Sequence, residues 1–331
     1  MAAARFLAAL PARTRRRLAA SHGPRAAAPL RVAAALSATL LLATLTGAAR
    51  QPSPSYPVQT AFASPGPYAT TTGTVQDAAG TVIYDLYYPS HYAALGFKSP
   101  IVTWGNGTGG TPGKVSVLLS HLASYGFTVV ASTLPDTGSG VEIDAAAHYL
   151  AAQASVTGSV FHGHLNVNEV AAVGTSQGAT GAVRAATHDP ALIKTVMTFS
   201  EPNPIWAAPN PDCPTAADCT ADPAALTQPV FFISTHGFWD SIIASPATEK
   251  AFFLSTTVHA ALGIILNSGG KPADHASIQN TAAGGSPGGF LGYATAWLEY
   301  RLRGNAVAAG AFTGPHPELV ANANWPGSAV N

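Results

Sequence analysis

Charge is scarce in this chain: only 10% of its 331 residues are Asp, Glu, Lys or Arg, against about 25% in an ordinary soluble protein. The few charges are also segregated. Residues 1–49 hold seven arginines and no acid, which leaves nine basic groups against 16 acidic ones beyond them, a formal charge near −7. That balance excludes a basic nucleic-acid-binding surface. Cysteine is nearly absent, with only Cys213 and Cys219 present. Two cysteines with no histidine beside them do not complete a metal ligand set, so no metal is expected. No apolar run reaches the ~20 residues that a membrane-spanning helix needs. The 32 glycines and 26 prolines are dispersed, which excludes a collagen-like repeat and a low-complexity disordered chain.

What is present begins with an export signature. Arg5, Arg13, Arg15, Arg16, Arg17, Arg25 and Arg31 precede an apolar run from Val32 to Leu45, followed by Thr46-Gly47-Ala48-Ala49. A charged head, an apolar stretch and small residues at a cleavage point describe a signal peptide over 1–49. Thr14-Arg15-Arg16-Arg17-Leu18 also fits a twin-arginine element. The expected destination is extracellular or periplasmic. Residues 50–67 read as a linker and 68–331 as one catalytic domain. In an oxidising compartment Cys213 and Cys219 are expected to pair as a local disulfide.

From residue 70 onward, strand and helix patterns alternate. Thr70–Val75 and Thr81–Tyr88 flank the turn Asp77-Ala78-Ala79-Gly80 and predict an antiparallel pair. Further strands are expected at Pro100–Trp104, Phe127–Ala131, Glu169–Val173, Thr195–Phe199, Pro229–Ile233 and, last, Ala260–Leu266. Helices are expected at Lys114–Tyr125, Val141–Ala154, Gln177–Thr187 and Gly289–Leu302. That alternation predicts an α/β fold: a mostly parallel sheet with helices on both faces and functional loops at the carboxyl ends of the strands.

Gly174-Thr175-Ser176-Gln177-Gly178 is a G-x-S-x-G sequence between a strand and a helix. In that position it presents a serine nucleophile on a tight turn at a helix N-terminus; the plain alternative is a βα turn with Ser176 as N-cap. A serine needs a base, and the base needs an acid, in chain order serine, acid, histidine. Asp240 follows the strand Pro229–Ile233 and fits the acid, with Glu201 as its nearest rival. His275 lies beyond the last predicted strand and fits the base better than His259 or His316. Gly105-Asn106-Gly107-Thr108-Gly109-Gly110 formally matches a dinucleotide loop. However, Pro112 interrupts the helix start and no acid ends the next strand, so an oxyanion loop fits better. Its donors would be the backbone N–H groups of Asn106 and Gln177. Trp206, Phe238 and Trp239 sit on loops expected to border the cleft as substrate-binding residues. Between Ser200 and Pro229 no amphipathic helix is predicted that would serve as a lid. That favours an open groove.

With these pieces assembled, the chain resembles the α/β-hydrolase superfamily. Within it the likeness is to the secreted cutinase and polyester-hydrolase branch, related to dienelactone hydrolases and chlorophyllases. The resemblance runs from about Tyr68 to Leu302. It rests on Trp104-Gly105-Asn106-Gly107-Thr108, on His121 to Phe127, on the serine motif, on Gly237 to Asp240 and on His275. It implies a Ser176/Asp240/His275 triad, hydrolysis of an ester substrate (a polymeric one included) and no cofactor; a monomer is expected. Gln177 departs from the Met or His often found after the serine in polyester hydrolases, and the cysteines stand away from the C-terminus. An acyltransferase of the same fold and a non-catalytic binding protein on this scaffold are the alternative readings.

Overall fold

A turn and two short β-rich runs open the sheet. Thr70–Gln76 (β1) and Val82–Pro89 (β2) pair antiparallel. Asp77 closes the turn between them, its Oδ1 accepting the N–H groups of Ala79 and Thr81 at 2.9 Å each. Ser99–Gly105 (β3), Thr128–Ser132 (β4), Leu165–Thr175 (β5), Ile193–Phe199 (β6), Val230–Thr235 (β7) and Ala260–Ile265 (β8) continue it. These strands are parallel to one another, and β2 joins antiparallel to β4. The strands β3, β4 and β7 are buried along their whole length, as a sheet covered on both faces requires.

The structure is a computed structural model and describes residues 55–207, 213–280 and 287–331. The segment read as a signal peptide lies outside the described residues. Residues 53–331 form one compact unit. Pro57–Ala63 (α1), Ser116–Ser124 (α2) and Gly288–Arg303 (α7) cover one face of the sheet. Val141–Gln153 (α3), Gln177–His188 (α4) and Pro246–Ser255 (α6) cover the other. Phe238–Ile243 (α5) follows β7. Among the described residues no helix is long and apolar enough to cross a membrane.

Three differences from the sequence expectations have physical causes. The stretch 50–67, read as a linker, contains α1. Pro57 starts that helix, Val58 and Phe62 are buried, and Glu318 accepts the Val58 and Gln59 N–H groups at 2.8 and 2.7 Å. A partner 260 residues away supplies the cap, so no local signal announced it. The strand expected to be last is not: Asn267–Ser268 (β9) and Lys271–Pro272 (β10) form a small ribbon after it. Beyond α7, the short helices Ala306–Ala309 (α8) and Glu318–Ala321 (α9) lead to Ala329–Val330 (β11), which pairs antiparallel with β8. Among the described residues the sheet thus has nine strands, in the order β1-β2-β4-β3-β5-β6-β7-β8-β11. The helix predicted from Lys114 begins as a 3-10 turn over Pro112–Val115.

Candidate active site

Ser176 stands between β5 and α4 with φ 52° and ψ −126°, a conformation that costs energy for a residue with a side chain. The turn is tight because Gly174 and Gly178 are in contact. A Cβ on Gly174 would run into the Gly178 carbonyl, and a Cβ on Gly178 into the carbonyl of Gly105. Strand, turn and helix are therefore pressed together, and Ser176 stands just beyond the carboxyl end of β5.

Two other strands deliver its neighbours. His275 Nε2 lies 2.9 Å from Ser176 Oγ, and His275 Nδ1 lies 2.7 Å from Asp240 Oδ1. Asp240 is fully buried in the first turn of α5. Its second oxygen accepts the Ser200 hydroxyl at 2.9 Å and the Thr235 N–H at 3.1 Å. A carboxylate so occupied fixes the proton of a neutral imidazole on Nδ1 and leaves Nε2 as an acceptor toward the serine.

Asp274 ties these loops together. Its Oδ1 accepts the N–H groups of Trp239, Asp240 and His275 at 2.9, 3.1 and 2.8 Å. A side chain at Gly237 would collide with that carboxyl, which accounts for the glycine. Ser200, with φ 53°, and Asp274 hold this candidate site in place, and sequence reasoning assigned neither of them that role. Their signal is position alone, one residue past β6 and one residue before His275.

The carboxyl that meets His275 is that of Asp240 and not that of Glu201, the rival acid. Its N–H donates to Glu249 Oε1 at 2.7 Å, and both carboxyl groups are buried. Burial pushes Glu201 up to about 8. Burial, then the Glu201 and Asp240 charges, hold Glu249 well above the usual carboxylate range. His259 stacks on Trp297, with ring centroids 5.9 Å apart, and burial followed by the Arg301 charge lowers its pKa. His316 is exposed.

The side chain of Asn106 is fully used. Its Nδ2 donates to the Ser132 and Leu134 carbonyls at 2.6 and 2.9 Å, and its Oδ1 accepts Trp104 Nε1 at 3.1 Å. Only its backbone N–H remains for the cleft. The Gln177 N–H belongs to the first turn of α4, where amides have no intrahelical acceptor. A cleft of about 300 Å³ lies over these groups, with Ser176, His275, Asn106, Gln177, Trp206 and Ile243 among its walls. Phe238 and Trp239 are not wall residues. Their rings meet edge to face with centroids 5.4 Å apart, and they are 68% and 57% exposed.

Cys213 and Cys219 form a disulfide, with Cα atoms 5.4 Å apart. Away from the cleft, His148 Nε2 lies 2.9 Å from Asp189 Oδ2 and 3.8 Å from Asp144 Oδ1. That is the geometry of an imidazole bridging two acids. These are the three side chains whose ligand atoms come close enough to hold a metal among the described residues.

No curated protein matches the chain. The model of the PET hydrolase-like family, PETase, matches residues 44–215. That span covers just over half of the chain and includes Asn106, Ser176 and Gln177. It ends before Asp240 and His275, which the fold brings to the same cleft. The chain belongs to the PET hydrolase-like family, of α/β-hydrolase fold.

Proposed function

We propose that the protein is an exported serine carboxylester hydrolase that cleaves polyester-type substrates through a covalent acyl-enzyme. The observation that carries this reading is the hydrogen-bonded chain Ser176–His275–Asp240 at the base of an open cleft. In the proposed mechanism, His275 Nε2 takes the Ser176 proton as Oγ attacks the ester carbonyl. Asp240 stabilises the imidazolium, and the Asn106 and Gln177 N–H groups receive the oxyanion. His275 then protonates the departing alcohol, deprotonates a water for the second attack and returns its proton to Ser176 as the acid leaves.

Polymer access is supported by what surrounds the cleft. The described part of the segment between β6 and β7 holds only 3-10 turns, at Pro204–Trp206, Ala217–Cys219 and Pro223–Ala225, with no helix to form a lid. The disulfide and the arginine-led N-terminus support export. The catalytic domain is proposed to extend from α1 to residue 331.

Labelling with a fluorophosphonate followed by peptide mapping tests the nucleophile. The expected adduct is on Ser176, and Ser176→Ala should lose more than ~10³-fold in p-nitrophenyl butyrate turnover while keeping its circular dichroism. Release of soluble acids from a polyester film tests the substrate class. Brisk butyrate turnover with no release from film would leave only a small-ester hydrolase.

A further inference from the structure

Among the described residues the cleft walls carry no acidic side chain and one fixed cation, Lys114. Its Nζ donates to the Gly109 carbonyl at 3.2 Å, which leaves N–H groups to spare. Among the described residues no carboxylate forms an ion pair with it. Yet the chain beyond residue 49 has more acids than bases, so a lysine without an acidic neighbour is not for want of acids.

The backbone that carries Lys114 is held from the loop that also carries the base. The Asn280 N–H donates to the Lys114 carbonyl at 2.8 Å. Its Nδ2 donates to the Gly113 carbonyl and to Ser116 Oγ, both at 2.9 Å, and its Oδ1 accepts the Val117 N–H at 3.0 Å. Asn280 lies five residues after His275, and Gln279 beside it lines the cleft. An ammonium whose root is positioned in this way loses less freedom when it meets a ligand.

We infer that Lys114 is a carboxylate-binding subsite of this cleft, fitted to esters that carry a free carboxylate on the acyl or alcohol part. These are half-esters of dicarboxylic acids and the acid-terminated ends of polyester chains. The inference rests on the ester-hydrolase function proposed above. Its chemistry follows from that reaction, because each cleavage of a polyester leaves one new carboxylate end. A cleft lined only by neutral groups would bind that end poorly, since a carboxylate must shed water to enter. An unpaired ammonium on the wall offsets the loss by a charge-assisted hydrogen bond. Acid-ended fragments then become substrates for further shortening.

The experiment compares two soluble probes with one leaving group: the mono-p-nitrophenyl ester of adipic acid, and the same compound with its second carboxyl methylated. The readout is the ratio of kcat/KM for the acid over the methyl ester. Lys114→Met is expected to lower that ratio about threefold to tenfold, chiefly through KM of the acid, as suits an exposed charge pair. Lys114→Arg is expected to keep most of it. The gap between wild type and Lys114→Met should narrow as NaCl rises from about 0.02 M to about 0.5 M. If Lys114 only fastens the Gly109 loop, both probes lose activity alike and the ratio stays put. An unchanged ratio overturns the subsite even where both esters are cleaved. If wild type cleaves neither probe, it is the ester-hydrolase function that fails, and the subsite fails with it.

Discussion

Ser176 and Ser200 are the non-glycine residues with positive φ among the described residues, and both bear on the same hydrogen-bonded chain. One offers its hydroxyl to His275 and the other gives its hydroxyl to Asp240. Backbone strain of this kind persists where surroundings over-determine it, and here β6 and β7 do so. The Ser200 N–H donates to the Ile233 carbonyl at 2.6 Å. Immediately behind stands Glu201, a buried carboxyl pushed up to about 8. Folding therefore keeps a proton that the unfolded chain releases near 4.5. The folded state holds more protons across that window, so stability falls as pH rises from the lower value toward the upper one. Glu201→Gln keeps the shape without the titration. Its denaturation midpoint is expected to exceed that of wild type by more at about pH 9 than at about pH 5. A constant difference between the two pH values would show that Glu201 is not the titrating group.

At the scale of elements, α1 has the clearest consequence. Phe62 is buried against α2, its carbonyl accepts from His121 Nε2 at 2.9 Å, and its ring meets Tyr125 at 5.7 Å. Phe62→Ala is expected to cost about 3–5 kcal/mol in urea unfolding, the usual range for deleting a buried phenyl ring. A change below about 1 kcal/mol would mean that α1 is peripheral. This helix was illegible in the sequence because its support is distant: Glu318 caps it, and α7 gives it a surface to pack on. The eight long strands and the helices α2, α3, α4 and α7 were legible, since each carries its own period and its own stop, as Gly126 does after α2. α5 and α6 were not. In α5 only Asp240 is buried, so no apolar face repeats. Ser176, Asp240 and His275 could be picked out as candidates from strand ends, whereas Asp274 could not, because its role depends on bringing β7 and β8 side by side. Phe238 and Trp239 were expected at the cleft; the first turn of α5 points them to solvent instead.

At the scale of the molecule, those two rings continue into a wider apolar edge with Ile205, Trp206 and Ile242, exposed by 82%, 49% and 42%. Trp206 joins the two halves, its Nε1 donating to the Ile242 carbonyl at 3.0 Å. Scattered apolar residues are ordinary on a surface, but a contiguous group beside a cleft marks a contact area. Trp239→Ser is expected to reduce adsorption to polyester film and acid release from it severalfold. Turnover of p-nitrophenyl butyrate should change much less, and equal losses on both substrates would assign Trp239 to the chemistry rather than to the contact. The edge that would meet the polymer is built on the same short helix that carries Asp240, and Asp274 fastens that helix to the loop of His275. Recombination between relatives meets a constraint here. A crossover placed between residues 243 and 273 takes the acid from one parent and the carboxyl that holds it from the other. The natural unit of exchange is therefore the whole span from Gly237 to Asn280, inherited as a block.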